Sequence, residues 1–383
     1  MKKTIYAYTA GRSDFDRYYP IVKNLISFKN IDFKLITSNT HYLKKFGTTI
    51  NEIKIKKIPY VRRKPKLIFD YEKIILTEGN YLTDLFKKKK PDLLVLFGDR
   101  YEMLVAATTA VAFNIPILHL YGGAVTLGST DELNRHAITK LSNYHLVAHP
   151  KYAKRLEQLG EEKWRIRVIG MPELSYLKKL PTYSYSNLKK KIGLNLKKPT
   201  ILVNFHPLTK NLENNKKYLS NLLESLKNLK YQIIFTYPNA DKKNDEIIRL
   251  IYTFIKNKKN KKKNIFIKNS GAVLYKNFLD KCQFMIGNSS SGIVESASFK
   301  IPSINIGDRQ KGKVFPKNVI SCSYEINDIK KKILKIQSKS FIKKLKTIKN
   351  PYSSKISIKK IAKIIVDLKI DKKLINKKFI DKI

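Results

Sequence analysis

Cysteine is scarce in this chain, and its scarcity excludes several classes of protein. The two cysteines, Cys282 and Cys322, are too few for a disulfide framework or a cysteine-based metal cluster. Both lie in apolar, strand-like segments, which is typical of buried and reduced thiols. We therefore expect a cytoplasmic protein whose fold depends on packing and not on covalent cross-links.

Acidic residues and arginine are also few. The chain has 30 Asp and Glu against 78 Lys and Arg, so its formal net charge is +48. A charge of this size suggests nucleic acid or an anionic membrane as a partner. Arginine is the usual reader of bases and clamp of phosphates, yet it supplies only 11 of the 78 basic residues. We favour a drift in surface composition, expect neither nucleic-acid nor membrane binding, and expect the charge to attract an anionic substrate.

Long apolar runs and several common motifs are missing. The longest apolar region, 104–120, is interrupted by Asn114 and Pro116, so it predicts no membrane span. The sequence has no P-loop, no nucleophile elbow and no G-x-G-x-x-G after its first strand. His145 and His149 fall on a predicted strand, where four residues span about 13 Å, too far for two ligands of one ion. We expect neither a metal nor a cofactor.

Short β-branched runs alternate with longer helical segments along most of the chain. This alternation predicts an α/β protein with parallel, doubly wound sheets. A stretch rich in Pro, Tyr, Ser, Asn and Lys interrupts it and predicts a linker between two similar halves. We expect two Rossmann-like domains facing a cleft, in a GT-B-like arrangement. The predicted divisions are an N-terminal domain (1–172), a linker (173–198), a C-terminal nucleotide-binding domain (199–350), and a C-terminal helix with a frayed basic tail (351–383).

The most informative segment follows a strand in the second half. The residues from Gly287 to Glu295 read GNSSSGIVE, and a helix is predicted to begin at about Ser291. Small hydroxyl residues at a strand-to-helix turn leave backbone N–H groups for a phosphate. Glu295 lies one turn into the helix, where a carboxylate can reach a ribose hydroxyl. A nucleotide or sugar-nucleotide site and an ordinary capped helix remain open as interpretations of this segment.

Polar residues follow four other predicted strands. Arg12 follows the first strand, Asp99 follows the buried run Leu93–Phe97, and His206 follows the first strand of the second half. Arg12 can be a phosphate contact or a surface arginine, and Asp99 can be a catalytic acid or a helix cap. His206 can face the cleft or be an ordinary loop histidine. After His119, two glycines lead into a helix where Asp131 and Arg135 lie one turn apart.

Taken together, these residues resemble the hydrolysing UDP-N-acetylglucosamine 2-epimerases of sialic- and legionaminic-acid-type pathways. The resemblance runs from Gly11 to about Ile320, and its strongest parts are RHAITKLS from Arg135, HPLT from His206, and the segment 287–313. It implies a GT-B-like fold with the active site in the cleft, a UDP-sugar substrate and a homodimer. It also implies elimination of UDP to a 2-acetamidoglucal, followed by hydration to free N-acetylmannosamine.

The resemblance implies roles for individual residues as well. Asp99 and Asp131 match catalytic acid positions, and Arg135 matches a substrate contact. The positions that match UDP contacts are Arg12, His206, Ser290, Ser291, Gly292 and Glu295.

One departure from the family pattern concerns the turn after His119. The family usually has a carboxylate there, whereas this chain has Tyr121 and Ala124. Glu132 can take the place of the missing carboxylate, or Tyr121 can act as a proton donor. Alternatively, the substrate can carry a sugar other than N-acetylglucosamine, for instance the 2,4-diacetamido-2,4,6-trideoxy sugar of UDP-N,N′-diacetylbacillosamine. A non-hydrolysing epimerase, a glycosyltransferase with the same cleft and an inactive UDP-sugar-binding protein remain as further alternatives.

Overall fold

The computed structural model describes residues 2–66, 72–127, 129–238, 243–257 and 264–381, without the side chains of Arg12 and Ser13. It divides the chain into two compact units. The first unit comprises Met1–Ala124, Asp131–Glu173 and Ser354–Ile383, and the second comprises Val125–Thr130 and Leu174–Ser353. The C-terminal segment thus belongs with the N-terminal half of the chain.

The first unit is built on a parallel sheet of six strands. The strands are Lys3–Thr9 (β1), Ile31–Thr37 (β2), Leu93–Phe97 (β3), Ile117–Leu120 (β4), Tyr144–Val147 (β5) and Ile166–Val168 (β6). The helices between them are Arg12–Leu25 (α1), Ile50–Ile55 (α2), Ile74–Lys88 (α3), Tyr101–Ala112 (α4), Asp131–Leu141 (α5) and Pro150–Gln158 (α6).

The strand order in this sheet is β2-β1-β3-β4-β5-β6. The order changes direction between β1 and β3, and open α/β sheets bind ligands at such a switch point, beyond the carboxyl ends of the strands. All five side chains of β3 are buried, because helices cover both faces of a parallel sheet. The Gly11 and Asp99 positions follow β1 and β3 and therefore lie at this edge.

The second unit has its own parallel sheet of six strands. The strands are Thr200–Asn204 (β7), Gln232–Thr236 (β8), Ile265–Ile267 (β9), Met285–Gly287 (β10), Ser303–Ile306 (β11) and Val319–Cys322 (β12). The helices are Glu173–Lys179 (α7), which begins at the last residue of the first unit's middle segment, Tyr185–Ile192 (α8), Asn215–Leu226 (α9), Asn244–Lys256 (α10), Gly271–Lys281 (α11), Ser291–Val294 (α12), Ile326–Gln337 (α13) and Lys339–Leu345 (α14).

The order of the second sheet is β12-β11-β10-β7-β8-β9, so its switch point lies between β10 and β7. His206 follows β7, and the GNSSSG turn follows β10. The two features that the sequence singled out in this half therefore meet at one place in the sheet. The predicted α/β class with two doubly wound parallel sheets is confirmed.

Four local predictions differ from the structure. The β-branched residues of 53–61 predict a strand, but Ile50–Ile55 is the helix α2, which buries Ile50 and Ile53 at helical spacing and leaves Ile55 79% exposed. The helix predicted to begin at about Ser291 ends at Val294 and continues as a 3-10 turn from Ser296, whose hydroxyl donates to the Gly292 carbonyl.

The segment 173–198, predicted as a linker, is the third difference because it contains α7 and α8. The Ser184 hydroxyl caps the start of α8, and Gly193 ends it in the left-handed region. Three leucines of this segment, Leu188, Leu194 and Leu196, are buried in a core cluster with β7 and α11 of the second unit. Their burial gives the segment a fixed structure despite its polar composition.

In the tail predicted to be frayed, residues 371–377 have a defined structure instead. Helix α15 (Ile358–Asp367) packs against α1, and a short helix α16 (Lys372–Ile375) follows. Leu374 is buried, and the Lys377 ammonium lies 2.7 Å from the Glu161 carboxylate. The fully buried Arg165 donates to Glu162 and to four main-chain carbonyls, those of Asn143, Lys373, Leu374 and Asn376.

Both cysteines are buried free thiols, as predicted. Burial raises the pKa of each of them, so they are unreactive toward oxidants and metals compared with exposed thiols. Among the described residues, no helix is both long enough and apolar enough to cross a membrane.

We predict that Arg165→Ala lowers the free energy of unfolding by about 3 kcal/mol or more, because it removes the five hydrogen bonds made by a fully buried charged side chain. Urea unfolding followed by circular dichroism measures the change. The matched control is Arg167→Ala, an exposed arginine two residues away, which should change stability by less than about 0.5 kcal/mol. Equal effects of the two substitutions would show that the tail is not held by Arg165.

Candidate active site

A buried arginine organises the polar edge of the first sheet. Arg135 on α5 is 2% exposed, and its guanidinium donates to the Asp99 carboxylate, to Glu132 at 2.6 Å and to the Ala124 carbonyl at 2.7 Å. Burial alone would lower its pKa, yet the pKa is raised because Asp99 and Glu132 lie against it. One cation thus joins the end of β3, the turn after β4 and the first turns of α5.

Each predicted catalytic residue has a defined place around this cation. Asp99 follows β3 and keeps its side chain 28% exposed, so it is both fixed by Arg135 and open to solvent. Glu132 is more buried and also pairs with His136 at 3.1 Å. Asp131 is the first residue of α5, and its negative charge helps to raise the pKa of Arg135. Arg135 itself, which the sequence predicted to contact substrate, holds these carboxylates in place.

A neutral histidine holds the backbone just before Asp99. The His119 ring is fully buried, and its Nε2 lies 2.8 Å from the Gly98 carbonyl, where an N–H at Nε2 donates. Burial lowers the pKa of His119 to about 3, with the hydrogen bond to Gly98 opposing the shift. Gly98 lies in the left-handed region with φ of 80°, and this turn points the chain toward Asp99.

The turn after β4 contains a phenol–carboxylate pair. Tyr121 has φ of 69°, and its hydroxyl donates to a Glu173 carboxylate oxygen at 2.6 Å. Gly123 allows a close approach, because a Cβ there would lie 2.5 Å from the Tyr152 carbonyl oxygen. The sequence drew attention to Tyr121 and Ala124 but not to Glu173, which is 52 residues away in a segment without a recognisable motif.

The end of β1 is fixed by Asp14. Its carboxylate accepts the N–H groups of Ala10 and Gly11 and the Thr9 hydroxyl. Burial raises the pKa of Asp14 to about 6, while these donors act against the rise. Arg12 lies in the first turn of α1, and its side chain is outside the part of the chain that the structure describes.

In the second unit, Asn288 joins the two loops at the switch point. Its side chain accepts the N–H of His206 at 2.7 Å and donates to the His206 carbonyl at 2.8 Å. Gln310 and Arg309 both donate to the Asn288 carbonyl. A Cβ at Gly287 would lie 2.0 Å from the Asn204 carbonyl oxygen, so only glycine fits where β10 meets β7.

The predicted nucleotide contacts lie on this rigid turn. Ser290 is the half-buried N-cap of α12, and the Ser291 hydroxyl hydrogen-bonds to the Tyr275 hydroxyl, which also accepts from Asn204. Gly292 leaves room for Ser303, whose Oγ would be 2.8 Å from a Cβ. Glu295 is 7% exposed at the end of α12, and His206 is 8% exposed. The structure thus brings the second-unit candidates together at one switch point.

Comparison with known proteins defines first the class of fold. The solved structure described as UDP-GlcNAc 2-epimerase from Neisseria meningitidis bound to UDP-GlcNAc matches with a TM-score of 0.77 at 18% identity, covering 95% of this chain and 98% of that one. The chain therefore has the GT-B-like α/β fold of these enzymes.

The family follows from sequence. The UDP-N-acetylglucosamine 2-epimerase family model matches residues 23–366. The GDP/UDP-N,N′-diacetylbacillosamine 2-epimerase (hydrolyzing) of Campylobacter jejuni is 37% identical over 346 residues, 89% of each chain. The UDP-N,N′-diacetylbacillosamine 2-epimerase (hydrolyzing) of Legionella pneumophila is 31% identical, over 84% of this chain and 85% of its own. The chain belongs to the UDP-N-acetylglucosamine 2-epimerase family, and it is an enzyme of the hydrolysing UDP-sugar 2-epimerase kind.

We predict that the protein loses stability as the pH falls below about 6.5, because the folded state keeps His119 neutral and the unfolded chain takes up its proton. The slope should be about 1.4 kcal/mol per pH unit for each such histidine. Urea unfolding between pH 7.5 and about pH 5 should show a shallower decline for His119→Gln. A decline as steep in His119→Gln as in the unaltered protein would contradict the prediction.

Proposed function

We propose that this hydrolysing UDP-sugar 2-epimerase acts on UDP-N,N′-diacetylbacillosamine, releasing UDP and the free sugar inverted at C2. The observation that carries the proposal is the 37% identity to the Campylobacter jejuni enzyme over 89% of the chain. The Legionella pneumophila relative, whose name gives the same sugar, adds support. The non-carboxylate turn at Tyr121 and Ala124 also supports a sugar other than N-acetylglucosamine.

In the proposed reaction the proton at C2 leaves as UDP departs from C1, giving a 2-acetamidoglucal. Water then adds its oxygen to C1, and a proton reaches C2 on the opposite face. The two half-reactions need a base and an acid near C2. Asp99 suits one of these roles, because Arg135 fixes its position while part of the carboxylate stays exposed. Asp131, at the start of α5, is the second candidate.

The second unit would hold the nucleotide. Ser290, Ser291 and Gly292 lie at the start of α12, beside the switch point, and are the proposed contacts to the diphosphate. Glu295 and His206 lie beside it and are candidates for contacts to the ribose and phosphates. Arg12 is proposed as a further phosphate contact. The positive charge of the chain favours approach of the dianionic UDP-sugar.

UDP-N-acetylglucosamine is the alternative substrate. The UDP-N-acetylglucosamine 2-epimerase of Neisseria meningitidis, at 28% identity, supports it. The polysialic acid biosynthesis protein P7 of Escherichia coli, at 31% identity, supports a role in sialic-type acid synthesis. The two substrates differ at C4 and C6 of the sugar, and contacts there decide between them. We further propose a cytoplasmic homodimer, for which light scattering should give twice the chain mass of 44.5 kDa.

The test incubates the protein with each UDP-sugar in D2O and follows the reaction by proton NMR. We expect free sugar deuterated at C2 together with UDP, and kcat/KM at least about tenfold higher for the diacetamido sugar. Asp99→Asn should lower kcat by about 100-fold or more. Asp32→Asn, which removes an exposed ion pair with Lys89, should not.

Two outcomes would contradict the proposal. A higher kcat/KM for UDP-N-acetylglucosamine would make that sugar the substrate and favour the sialic-type pathway. Bound UDP without turnover of either sugar would instead favour an inactive UDP-sugar-binding protein.

A further inference from the structure

The pair formed by Tyr121 and Glu173 is an unusual feature of the first unit. The two side chains are 7% and 6% exposed, and the phenol donates to the carboxylate at 2.6 Å. Tyr121 follows β4, and Glu173 is the first residue of α7. Burying a carboxylate costs free energy unless it has partners. The burial of Glu173 therefore indicates that its pairing with Tyr121 has a function.

The pair lies beside the proposed catalytic edge. The N–H of Gly98, directly before Asp99, donates to the carbonyl of Leu120, directly before Tyr121. The Tyr121 ring also packs edge-on against Phe97, the last residue of β3, with ring centroids 5.0 Å apart. Tyr121 and Asp99 therefore follow neighbouring strands at the same level of the sheet.

The backbone at Tyr121 is strained. Its φ of 69° lies in the left-handed region, which is unfavourable for a bulky residue. Glycine would adopt this conformation without cost, and the next two residues are glycines. A tyrosine in this position is therefore costly to the fold unless its side chain does something that glycine cannot.

The surroundings of the phenol keep it neutral. The pKa of Tyr121 is raised well above 10, because it is buried, because the Glu173 charge opposes a phenolate, and because its hydroxyl donates to Glu173; the Arg17 charge acts weakly in the opposite sense. A phenol in this state cannot ionise alone. It can accept a proton only if it passes its own proton to Glu173 in the same step.

We propose that Tyr121 and Glu173 act as a proton relay that removes the C2 proton of the substrate, an inference that rests on the proposed function. The C2–H bond breaks as its proton moves to the Tyr121 oxygen, and the phenol's proton moves to the Glu173 carboxylate. The C–H electron pair forms the C1–C2 double bond, and the C1–O bond breaks with its electrons going to UDP. Glu173 later loses its proton to solvent, which accounts for the proton that hydrolysis of a UDP-sugar releases.

This relay places the basicity of a carboxylate at a turn that has none of its own. Ala124 supplies only a methyl group there, and Glu132 is engaged by Arg135 and His136. Tyr121 is then the catalytic residue, and Glu173 is a positioning residue that acts through it.

Three variants test the relay. Tyr121→Phe removes the hydroxyl, and Glu173→Gln keeps size and hydrogen bonding but removes the base. Tyr18→Phe is the matched control, because Tyr18 is fully buried, packs on the same Phe97 ring at 5.5 Å, and its hydroxyl has no hydrogen-bond partner among the described residues. Thermal unfolding and UDP binding are measured for all three.

We expect Tyr121→Phe and Glu173→Gln each to lower kcat by about 100-fold while UDP affinity stays within about threefold. The double variant should be no slower than either single one, because both remove one relay. Both single variants should still hydrate the isolated glycal at close to the unaltered rate, since only elimination uses the relay.

Unaltered turnover by Tyr121→Phe overturns the inference, as does a slow Tyr121→Phe beside a fully active Glu173→Gln. Equal loss of elimination and glycal hydration would assign the pair a purely structural role and also overturn it. The unaltered enzyme is assayed first, so that failure of the proposed function appears as no UDP release from it. Failure of the relay appears instead as turnover by the variants.

Discussion

The guanidinium of Arg135 is the interaction on which the active edge depends. It is buried, and it contacts a carboxylate after β3, a carboxylate on its own helix and the carbonyl of Ala124. Removing either partner carboxylate would leave a buried charge without compensation. We therefore expect the three segments to lose their positions together. His119 adds a neutral donor behind Gly98, and the Tyr121–Glu173 pair lies on the neighbouring strand end. Asp99 thus stays exposed on an otherwise rigid support.

Much of this arrangement is visible in the sequence, because parallel sheets impose simple rules. A fully apolar strand such as Leu93–Phe97 has to be buried on both faces, so the polar residue after it lies at the carboxyl edge. The same argument brings His206 and the GNSSSG turn to one switch point, and the structure has both there. The identity of the family was also readable, since RHAITKLS and HPLT occur in order along the chain.

Other features follow from packing between distant segments, which local patterns do not report. Glu173 lies in a stretch of linker-like composition, and only the fold brings it to Tyr121. The isoleucines at 50, 53 and 55 favour a strand by their β-branched side chains and a helix by their spacing. The burial of Ile50 and Ile53 on one face stabilises the helix. The lysine-rich segment 373–376 has a defined position because three of its main-chain carbonyls accept hydrogen bonds from the buried Arg165 guanidinium.

The return of the chain to its first unit also constrains the order in which the two units can fold during synthesis. Helix α15 packs against α1, yet more than three hundred residues separate them, and Ser354–Ile383 is synthesised after both segments of the second unit. The second unit is complete at Ser353, so on the ribosome it can fold while the first is still incomplete. A premature stop between Ser354 and Ile383 would thus damage the unit that was begun first.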